Sequence, residues 1–301
     1  MGLTCVDGVV LAASGEPFNQ GELLAQYFSE DHHFLKRDRE RFARRAARAE
    51  AEAVDLPGRH VLVSDRFSGN YYHWLCDSLP RLEALCQSEP EFSLLLPPVL
   101  AALPFVRQTL PAWPGVTIAE FPASAGAVRV EELAIPDHAA RNGDHAAGLI
   151  AAVRERLVRH FGGDNGSKTQ RRIHVSRAGA RIRSLANEAE LLPVFERHGF
   201  ETVIFETLDF PAQLQLMLQA SVLVGIHGAG LANMMFMVPG SSVLELRQID
   251  RVPDCFFSLA AACNHDYRYL QGTPQDNAVH PHAADISIDP GLLDRTLQQM
   301  A

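Results

Sequence analysis

The sequence predicts an α/β fold with two domains. From Arg172 onward, apolar runs of strand length alternate with helical patterns, which is the order typical of a doubly wound parallel sheet. The chain has 301 residues, of which 47% are hydrophobic, enough for two well-filled cores. Residues 221–226 form an apolar run that indicates a strand buried on both faces, and a glycine-bearing turn follows it.

The first 64 residues predict a short strand at 9–11, a helix and a second strand. The stretch 36–48 carries seven basic residues on a strongly helical composition. A contact with a membrane surface or a polyanion and a solvated helix face are both compatible with such a charge run. Pro57 and Gly58 should end this helix, and residues 59–64 read as the strand that follows.

Further alternation places the domain boundary near residues 141–144, which gives an N-terminal domain of 1–141 and a C-terminal domain of 142–301. Proline-rich turns separate the N-terminal strands, which are predicted at 92–96, 116–119 and 128–135. In the C-terminal domain we predict strands at 172–176, 201–205, 221–226, 241–246 and 267–270, and helices at 144–160, 188–198, 211–220, 253–263 and 289–299.

Charge and cysteine usage exclude several classes of protein. A net charge of −9 argues against general nucleic-acid binding, which needs a broad basic surface. The five cysteines are odd in number and show no Cys-x-x-Cys spacing, so neither a disulfide framework nor a zinc site is indicated. No signal-peptide pattern and no run of 18 apolar residues occurs. We therefore expect a soluble protein of the reducing cytoplasm.

The junction after residues 221–226 predicts a ligand site. A helix that starts near Gly228 and Gly230 would present unpaired N–H groups to an anion, and glycines allow a close approach. His227, at the carboxyl end of the strand, should point into the crevice where such sheets bind ligands. Glu245 stands at the end of the next strand, where an acidic residue commonly binds ribose hydroxyls. The ligand expected from this pattern is a nucleotide.

Three related motifs are excluded by spacing. Gly225, Gly228 and Gly230 do not match the dinucleotide fingerprint Gly-x-Gly-x-x-Gly. The stretch 166–169 has one residue too many between glycine and lysine for a P-loop. His-Gly-Ala-Gly is similar to the oxyanion loop of lipases, but the chain contains no Gly-x-Ser-x-Gly nucleophile elbow. A hydrolase of that type would therefore lack its nucleophile.

A second candidate site follows the strand at 59–64. In a helix that begins near Asn70, the side chains of Asn70, His73 and Asp77 share one face, beside Tyr72 and Trp74. One interpretation makes Asn70 a helix cap, His73 and Asp77 a surface pair, and the aromatic residues part of the core. The other makes the polar face a functional site.

A cationic loop follows the strand at 172–176. Arg177, Arg181 and Arg183 stand in this loop with no acidic residue before Glu188. Planar guanidinium groups suit phosphate oxygens, and the loop lies at the ligand-binding edge of the predicted sheet. A loop that is merely solvated by arginines is the alternative.

Four stretches together resemble glycosyltransferase family 61, a family that includes capsular-polysaccharide-type proteins and the EGF-domain-specific O-linked N-acetylglucosamine transferase. They read Asn-Tyr-Tyr-His-Trp-Leu-x-Asp-x-Leu-Pro-Arg, Ser-Arg-x5-Arg-x3-Asn-Glu-x-Glu-Leu, His-Gly-Ala-Gly-Leu-x-Asn and Val-Leu-Glu-Leu, in this order. The resemblance implies a GT-B architecture, in which two Rossmann-like domains face each other across a cleft. It also implies an inverting transfer from a nucleoside diphosphate sugar to a glycan, in surface or capsular polysaccharide assembly, without a metal or other cofactor.

The same resemblance assigns roles to individual residues. Asp77 becomes the leading candidate for the catalytic base, and His73 orients it or acts in its place, while Asn70, Tyr72 and Trp74 contact or support the acceptor. The residues expected to bind the donor are Arg177, Arg183, Asn187, His227, Gly228, Ala229, Gly230, Asn233 and Glu245. A catalytically inactive nucleotide-sugar or glycan binding module is the main alternative. A Rossmann-type oxidoreductase is disfavoured by the missing dinucleotide fingerprint.

Overall fold

The computed structural model describes residues 2–27, 36–141, 143–163, 170–179, 182–248, 253–276 and 284–300. Contacts within the chain divide it into two compact units, Met1–Asn142 and Gly143–Ala301, which we call the N-terminal and C-terminal units. Both units are α/β, with a mixed sheet in the first and a parallel sheet in the second. The α/β class predicted from the sequence is confirmed for the described residues.

The N-terminal unit is built on a seven-stranded mixed sheet with the strand order β3-β2-β1-β7-β4-β5-β6. Its strands are β1 (Leu3–Ala12), β2 (Pro17–Asn19), β3 (Glu22–Leu23), β4 (Ala53–Val61), β5 (Phe92–Leu95), β6 (Val116–Ala119) and β7 (Ala127–Pro136). The strands β4 to β7 run parallel, whereas β1 pairs antiparallel with β7 and begins an antiparallel edge. The strand predicted at 9–11 is the buried second half of β1, whereas the exposed first half, the antiparallel pairing and the strands β2 and β3 were not predicted.

The described residues of this unit form eight helical segments. They are 3-10 turns at Ala25–Tyr27 and Leu110–Ala112, the α-helices α1 (Lys36–Glu52), α2 (Tyr71–His73), α3 (Leu79–Cys86), α4 (Pro98–Ala101) and α5 (Pro104–Thr109), and a π-helical turn at Trp74–Ser78 that joins α2 to α3. The sequence predicted that Pro57 and Gly58 end α1, but α1 ends earlier, at Glu52. Pro57 and Gly58 form an irregularity inside β4, where the register with β7 shifts between Leu56 and Arg59.

The basic helix α1 buries its apolar face within its own unit. Phe42, Ala46 and Ala49, spaced at i, i+4 and i+7, pack in one cluster with Val10 and Phe18. This apolar face is therefore already covered by the sheet, and a membrane contact through 36–48 would use the charged face alone. Such a contact stays a prediction.

The C-terminal unit contains a five-stranded parallel sheet with the strand order β12-β11-β10-β8-β9. Its strands are β8 (Arg171–Val175), β9 (Phe200–Val203), β10 (Ala220–Ile226), β11 (Ser242–Arg247) and β12 (Asp266–Gln271), and a small antiparallel pair adds β13 (Thr273–Pro274) and β14 (Ile286–Ser287). Its helices are α6 (Ala147–His160), α7 (Glu188–Arg197), α8 (Phe210–Leu218), α9 (Cys255–Ala262) and α10 (Pro290–Gln298), with 3-10 segments at Phe205–Thr207 and Ala229–Phe236. The predicted alternation of strands and helices is confirmed here.

The strand order reverses between β8 and β10. From β8 the chain builds outward to β9, then returns to place β10 on the other side of β8 and continues to β11 and β12. In open parallel sheets, ligands bind at the carboxyl ends of the two strands that flank such a reversal. The loops that begin at Ser176 and His227 are the two that leave these strand ends.

The segment after Gly228 is a 3-10 helix and not the predicted α-helix. It spans Ala229–Phe236, and the Leu231 N–H donates to the Gly228 carbonyl at 2.9 Å. The Asn233 side chain donates to the Gly230 carbonyl, which engages this turn from the side. Among the described residues, no helix combines the length and the apolar character that crossing a membrane requires.

His174 is a buried titratable residue at the centre of β8. Its ring stacks on Phe195 with 3.9 Å between the centroids, and its Nδ1 lies 3.2 Å from the Thr202 hydroxyl. The residue is 0% exposed, and burial lowers the pKa of its imidazole to about 3. The neutral ring therefore forms part of the core.

Lowering the pH from 7 to 5 should destabilise the protein through His174. Its imidazole stays neutral in the folded state but takes up a proton in the unfolded state below a pKa of about 6.5, so the unfolded state binds more protons as the pH falls. This group alone should reduce the free energy of unfolding by roughly 2 kcal/mol at pH 5. Urea unfolding at pH 7 and pH 5 measures this change, and the loss of unfolding free energy between the two pH values should be smaller in His174→Gln than in the wild type.

A control variant separates titration from packing. Phe195→Leu removes part of the ring stack but keeps the imidazole, so it should lower stability at both pH values and retain most of the pH dependence. If His174→Gln showed the same loss between pH 7 and pH 5 as the wild type, the assignment to His174 would be wrong.

Candidate active site

The predicted helix at Asn70 exists, but a π-helical turn separates its first α-helical turn, α2, from the α-helix α3 that follows. The Asn70 side chain accepts a hydrogen bond from the Tyr72 N–H at 2.9 Å, and so caps the three-residue helix α2. The π-helical turn at Trp74–Ser78 then precedes Pro80, which has no N–H to donate to an i−4 carbonyl. Widened turns of this kind are common at functional sites.

His73 and Asp77 form a close pair on this turn. The His73 Nδ1 lies 2.6 Å from the Asp77 Oδ2, and the two side chains are 21% and 15% exposed. Phe67 stacks on the His73 ring with 5.0 Å between the centroids, and Tyr72 meets the ring edge-on at the same distance. The imidazole is therefore fixed by a carboxylate and two aromatic rings while part of its surface stays accessible.

Trp74 and Tyr72 lie in the core and do not form an acceptor surface. Trp74 is 0% exposed, and its Nε1 donates to the Thr109 hydroxyl at 2.9 Å. Tyr72 is 7% exposed. The two roles predicted for Trp74 were acceptor contact and support, and its burial leaves support, through the hydrogen bond that anchors the π-helical turn against α5.

A buried polar group beneath this turn was not singled out from the sequence. Arg81 is 1% exposed, with Nη1 donating to the Val63 carbonyl at 2.8 Å and Nη2 donating to the Pro136 carbonyl. Burial lowers the pKa of its guanidinium to about 10, although Asp65 and Asp77 oppose that shift. The positive charge of Arg81 thus acts on both carboxylates. Its place in the Leu-Pro-Arg stretch was the available signal, but burial cannot be read from that stretch.

The arginine loop and the glycine turn of the C-terminal unit meet at the strand reversal. The Arg177 Nε donates to the Arg183 carbonyl at 3.1 Å and its Nη2 to the Ile182 carbonyl at 3.2 Å. A Cβ atom added to Gly228 would lie 2.7 Å from the Arg177 Nη1. The guanidinium therefore packs directly against the turn that follows β10. The third predicted arginine, Arg181, lies outside the described residues.

Arg183 has an unusual backbone and an unusual side-chain environment. Its φ of 57° places it in the left-handed region, which costs a non-glycine residue about 1 kcal/mol or more. Within the part of the chain that the structure describes, its buried Nε has no hydrogen-bond partner. Burial and the neighbouring charge of Arg177 lower the pKa of its guanidinium. Two close cations with an unused donor are suited to an anionic ligand.

Glu245 is placed differently from the sequence prediction. It is 0% exposed, its Oε1 lies 2.5 Å from the His227 Nδ1, and the Tyr267 hydroxyl donates to its Oε2. Burial and the Glu245 charge together raise the pKa of Tyr267. With both oxygens engaged, the carboxylate is not available to ribose hydroxyls; it orients the His227 imidazole, which also meets Phe256 edge-on at 5.0 Å.

Asn187 and Asn233 form hydrogen bonds within the framework of the site. The Asn187 amide donates to the Ile288 carbonyl at 2.9 Å and accepts from the Ile288 N–H at 3.1 Å, which ties the start of α7 to the chain after β14. Asn233 is 0% exposed and donates to the Gln213 side chain at 3.0 Å. The donor contacts predicted for both residues stay a prediction.

Gly230 and Ala229 also differ in role. A Cβ atom on Gly230 would lie 3.2 Å from Val175 and 3.3 Å from Phe205, so this glycine permits packing against the sheet and not an approach by a ligand. Ala229 is half-buried at the first position of the 3-10 helix. Arg177 contacts both Arg183 and Gly228 at the strand reversal, and His227, Ala229 and Gly230 lie on the same turn after β10.

Comparison with known proteins establishes the family. The family profile described as Glycosyltransferase 61 matches residues 71–244, more than half of the chain, and the chain belongs to this family. It is 31% identical over 121 residues to the EGF domain-specific O-linked N-acetylglucosamine transferase of Drosophila melanogaster. The aligned region covers 37% of this chain and 23% of that protein. The chain is 33% identical over 127 residues to the protein O-linked-mannose beta-1,4-N-acetylglucosaminyltransferase 2 of Takifugu rubripes, covering 39% and 21%. The matched region thus spans less than a quarter of either relative.

Proposed function

We propose that the protein is an inverting glycosyltransferase that moves a sugar from a nucleoside diphosphate donor to a hydroxyl of a glycan. The observation that supports this most strongly is the arginine pair at the strand reversal, where Arg177 packs on Gly228 and Arg183 carries an unused buried donor. A leaving diphosphate gains negative charge as the glycosidic bond breaks, and fixed cations stabilise that charge. In this proposal the arginines do so without a metal ion.

His73 and Asp77 supply the base in this proposal. The Asp77 carboxylate holds the His73 Nδ1, which leaves Nε2 as the imidazole nitrogen that receives the proton of the acceptor hydroxyl. The acceptor oxygen attacks the anomeric carbon as the bond to the diphosphate breaks, and attack from the opposite face inverts the configuration. Asp77 then stabilises the imidazolium. The sequence favoured Asp77 itself as the base, and the pair geometry favours His73 acting with it.

The GT-B arrangement belongs to the same proposal. The N-terminal unit would bind the acceptor and the C-terminal unit the donor, since the candidate base lies in one unit and the candidate phosphate site in the other. Assembly of surface or capsular polysaccharide in the cytoplasm, at the inner membrane, is the pathway that we propose.

A panel of nucleoside diphosphate sugars tests the function. The named relatives transfer N-acetylglucosamine, so donors of that sugar come first. A true donor should raise the melting temperature, because only a ligand that binds the folded state stabilises it. Release of nucleoside diphosphate in the presence of glycan acceptors and EDTA should then report transfer. Donor binding without turnover would favour an inactive binding module, and stabilisation by a dinucleotide alone would favour an oxidoreductase.

Gly228→Ala should weaken donor binding without unfolding the protein. Gly228 has an extended φ of 177°, which any residue can adopt, so the variant acts only through its Cβ atom, 2.7 Å from the Arg177 Nη1. The guanidinium must move, and we expect about tenfold weaker binding of the nucleoside diphosphate by calorimetry. Gly148→Ala in α6, where a Cβ atom meets nothing within 4 Å, is the control. Equal affinity in both variants would contradict the position proposed for the diphosphate.

A further inference from the structure

A small cavity of about 310 Å³ lies beside the turn that follows β4 in the N-terminal unit. Polar and apolar side chains share its wall. Its polar lining residues include Ser64, Asp65 and Arg66, and its apolar ones include Val99, Leu100 and Leu103. This volume is near the lower end for ligand pockets, which are roughly 300–1,000 Å³, and suits one small ring better than a whole nucleotide.

Ser64 is the unexplained residue of this cavity. It is 3% exposed, and within the described part of the chain its hydroxyl has no hydrogen-bond partner. A buried hydroxyl without a partner destabilises a folded protein, and a ligand hydroxyl that reached this cavity wall would supply the missing hydrogen bond. Asp65 beside it is 6% exposed; its Oδ1 accepts from the Phe67 N–H at 2.8 Å, and its Oδ2 lies 3.8 Å from the His138 Nδ1.

The cavity and the His73–Asp77 pair lie on one continuous turn. Gly69 lines the cavity and directly precedes the cap residue Asn70. Phe67, whose N–H is held by Asp65, stacks on the His73 ring. The buried Arg81 acts on both Asp65 and Asp77. A group seated in the cavity would therefore be positioned by the same turn that positions the candidate base.

We infer that this cavity is a subsite for a sugar ring of the acceptor, an inference that rests on the proposed function. The Ser64 hydroxyl can donate to or accept from a sugar hydroxyl, and the Asp65 carboxylate can accept from one. Val99, Leu100 and Leu103 supply an apolar wall for the C–H face of the ring. The wall carries charges of both signs, Asp65 and Arg66, so the hydroxyl and carboxylate groups together with the apolar wall define the occupant. The subsite thus recognises hydroxyl-rich rings.

Two variants test the subsite. Ser64→Ala removes the unpaired hydroxyl, so it should leave the melting temperature unchanged or raise it while the KM for the acceptor rises about three- to tenfold. Val99→Trp places an indole at the cavity mouth from a side chain that is 49% exposed, and should weaken sugar binding more than tenfold. Ile118→Trp is the matched control: Ile118 is 39% exposed and lines a second cavity of about 670 Å³ in the same unit.

Saturation-transfer NMR with free glucose, galactose, mannose, xylose and N-acetylglucosamine measures binding independently of turnover. We expect at least one sugar to bind the wild type and Ile118→Trp, and to lose its signal in Val99→Trp. No binding by the wild type, or equal signals in both tryptophan variants, would overturn the subsite. Loss of sugar binding in Val99→Trp together with no transfer from any donor would uphold the subsite and overturn the proposed transferase function. Transfer with an unchanged acceptor KM in Ser64→Ala would uphold the transferase function and overturn the subsite.

Discussion

Replacing Asp77 with asparagine should reduce the rate of transfer by about 10²- to 10⁴-fold, because the variant loses the charge that stabilises the His73 imidazolium. The two side chains are nearly the same size, so the 2.6 Å contact with His73 can persist while its chemistry changes. Initial rates at saturating donor and acceptor measure the loss. The increase in melting temperature caused by the donor should be retained, since the donor site proposed here lies in the other unit.

Two further variants sharpen this result. His73→Gln should show a similar loss, and the double variant should lose little more, because residues that act as one unit are strongly non-additive. Asp55→Asn, at a side chain that is 89% exposed in the same unit, should keep the wild-type rate. If Asp77→Asn retained most of its turnover, Asp77 would have no part in proton transfer.

The sequence predicts the parallel parts of the fold because buried parallel strands are continuous apolar runs. The strand β10 is a clear example, and six of its seven residues are buried. The antiparallel edge begins in β1, where only the apolar run at 9–11 marks a strand, and the exposed first half of β1 has no such run. Pro57 and Gly58 predict a helix end, but they form an irregularity inside β4. A proline–glycine pair occurs both in turns and in distorted strands, so the sequence alone does not distinguish the two.

Candidate site residues could be recognised as a group, but their individual roles depend on distant neighbours. Glu245 has the sequence position of a ribose ligand, yet Tyr267 from the adjacent strand β12 engages its carboxylate. Asn187 pairs with the backbone of Ile288, 101 residues away. Only the strand order and the chain path bring such partners together. The position of arginines within one loop, by contrast, can be predicted without knowing distant partners. Arg177 and Arg183 do lie together at the strand reversal.

Arg183→Gly should bind a nucleoside diphosphate about 10- to 100-fold more weakly while the folded protein becomes more stable. Glycine adopts the φ of 57° without the strain that arginine bears, and the change removes a buried Nε that has no partner among the described residues. We expect a gain of about 1 kcal/mol in the free energy of unfolding. Calorimetry with the nucleoside diphosphate and with the parent nucleoside should show that only the diphosphate loses affinity, since the guanidinium acts on phosphate oxygens.

A gain in stability combined with a loss of diphosphate affinity would distinguish a ligand-binding role of Arg183 from a structural one. Arg183→Ala keeps the backbone strain and should lose affinity to the same extent without the gain in stability. Arg197→Ala removes an exposed surface arginine that pairs with Asp294, and should leave diphosphate affinity unchanged. Equal losses for nucleoside and nucleoside diphosphate in Arg183→Gly would contradict the phosphate role. A gain in stability together with a loss of phosphate affinity would show that Arg183 serves the ligand and not the fold.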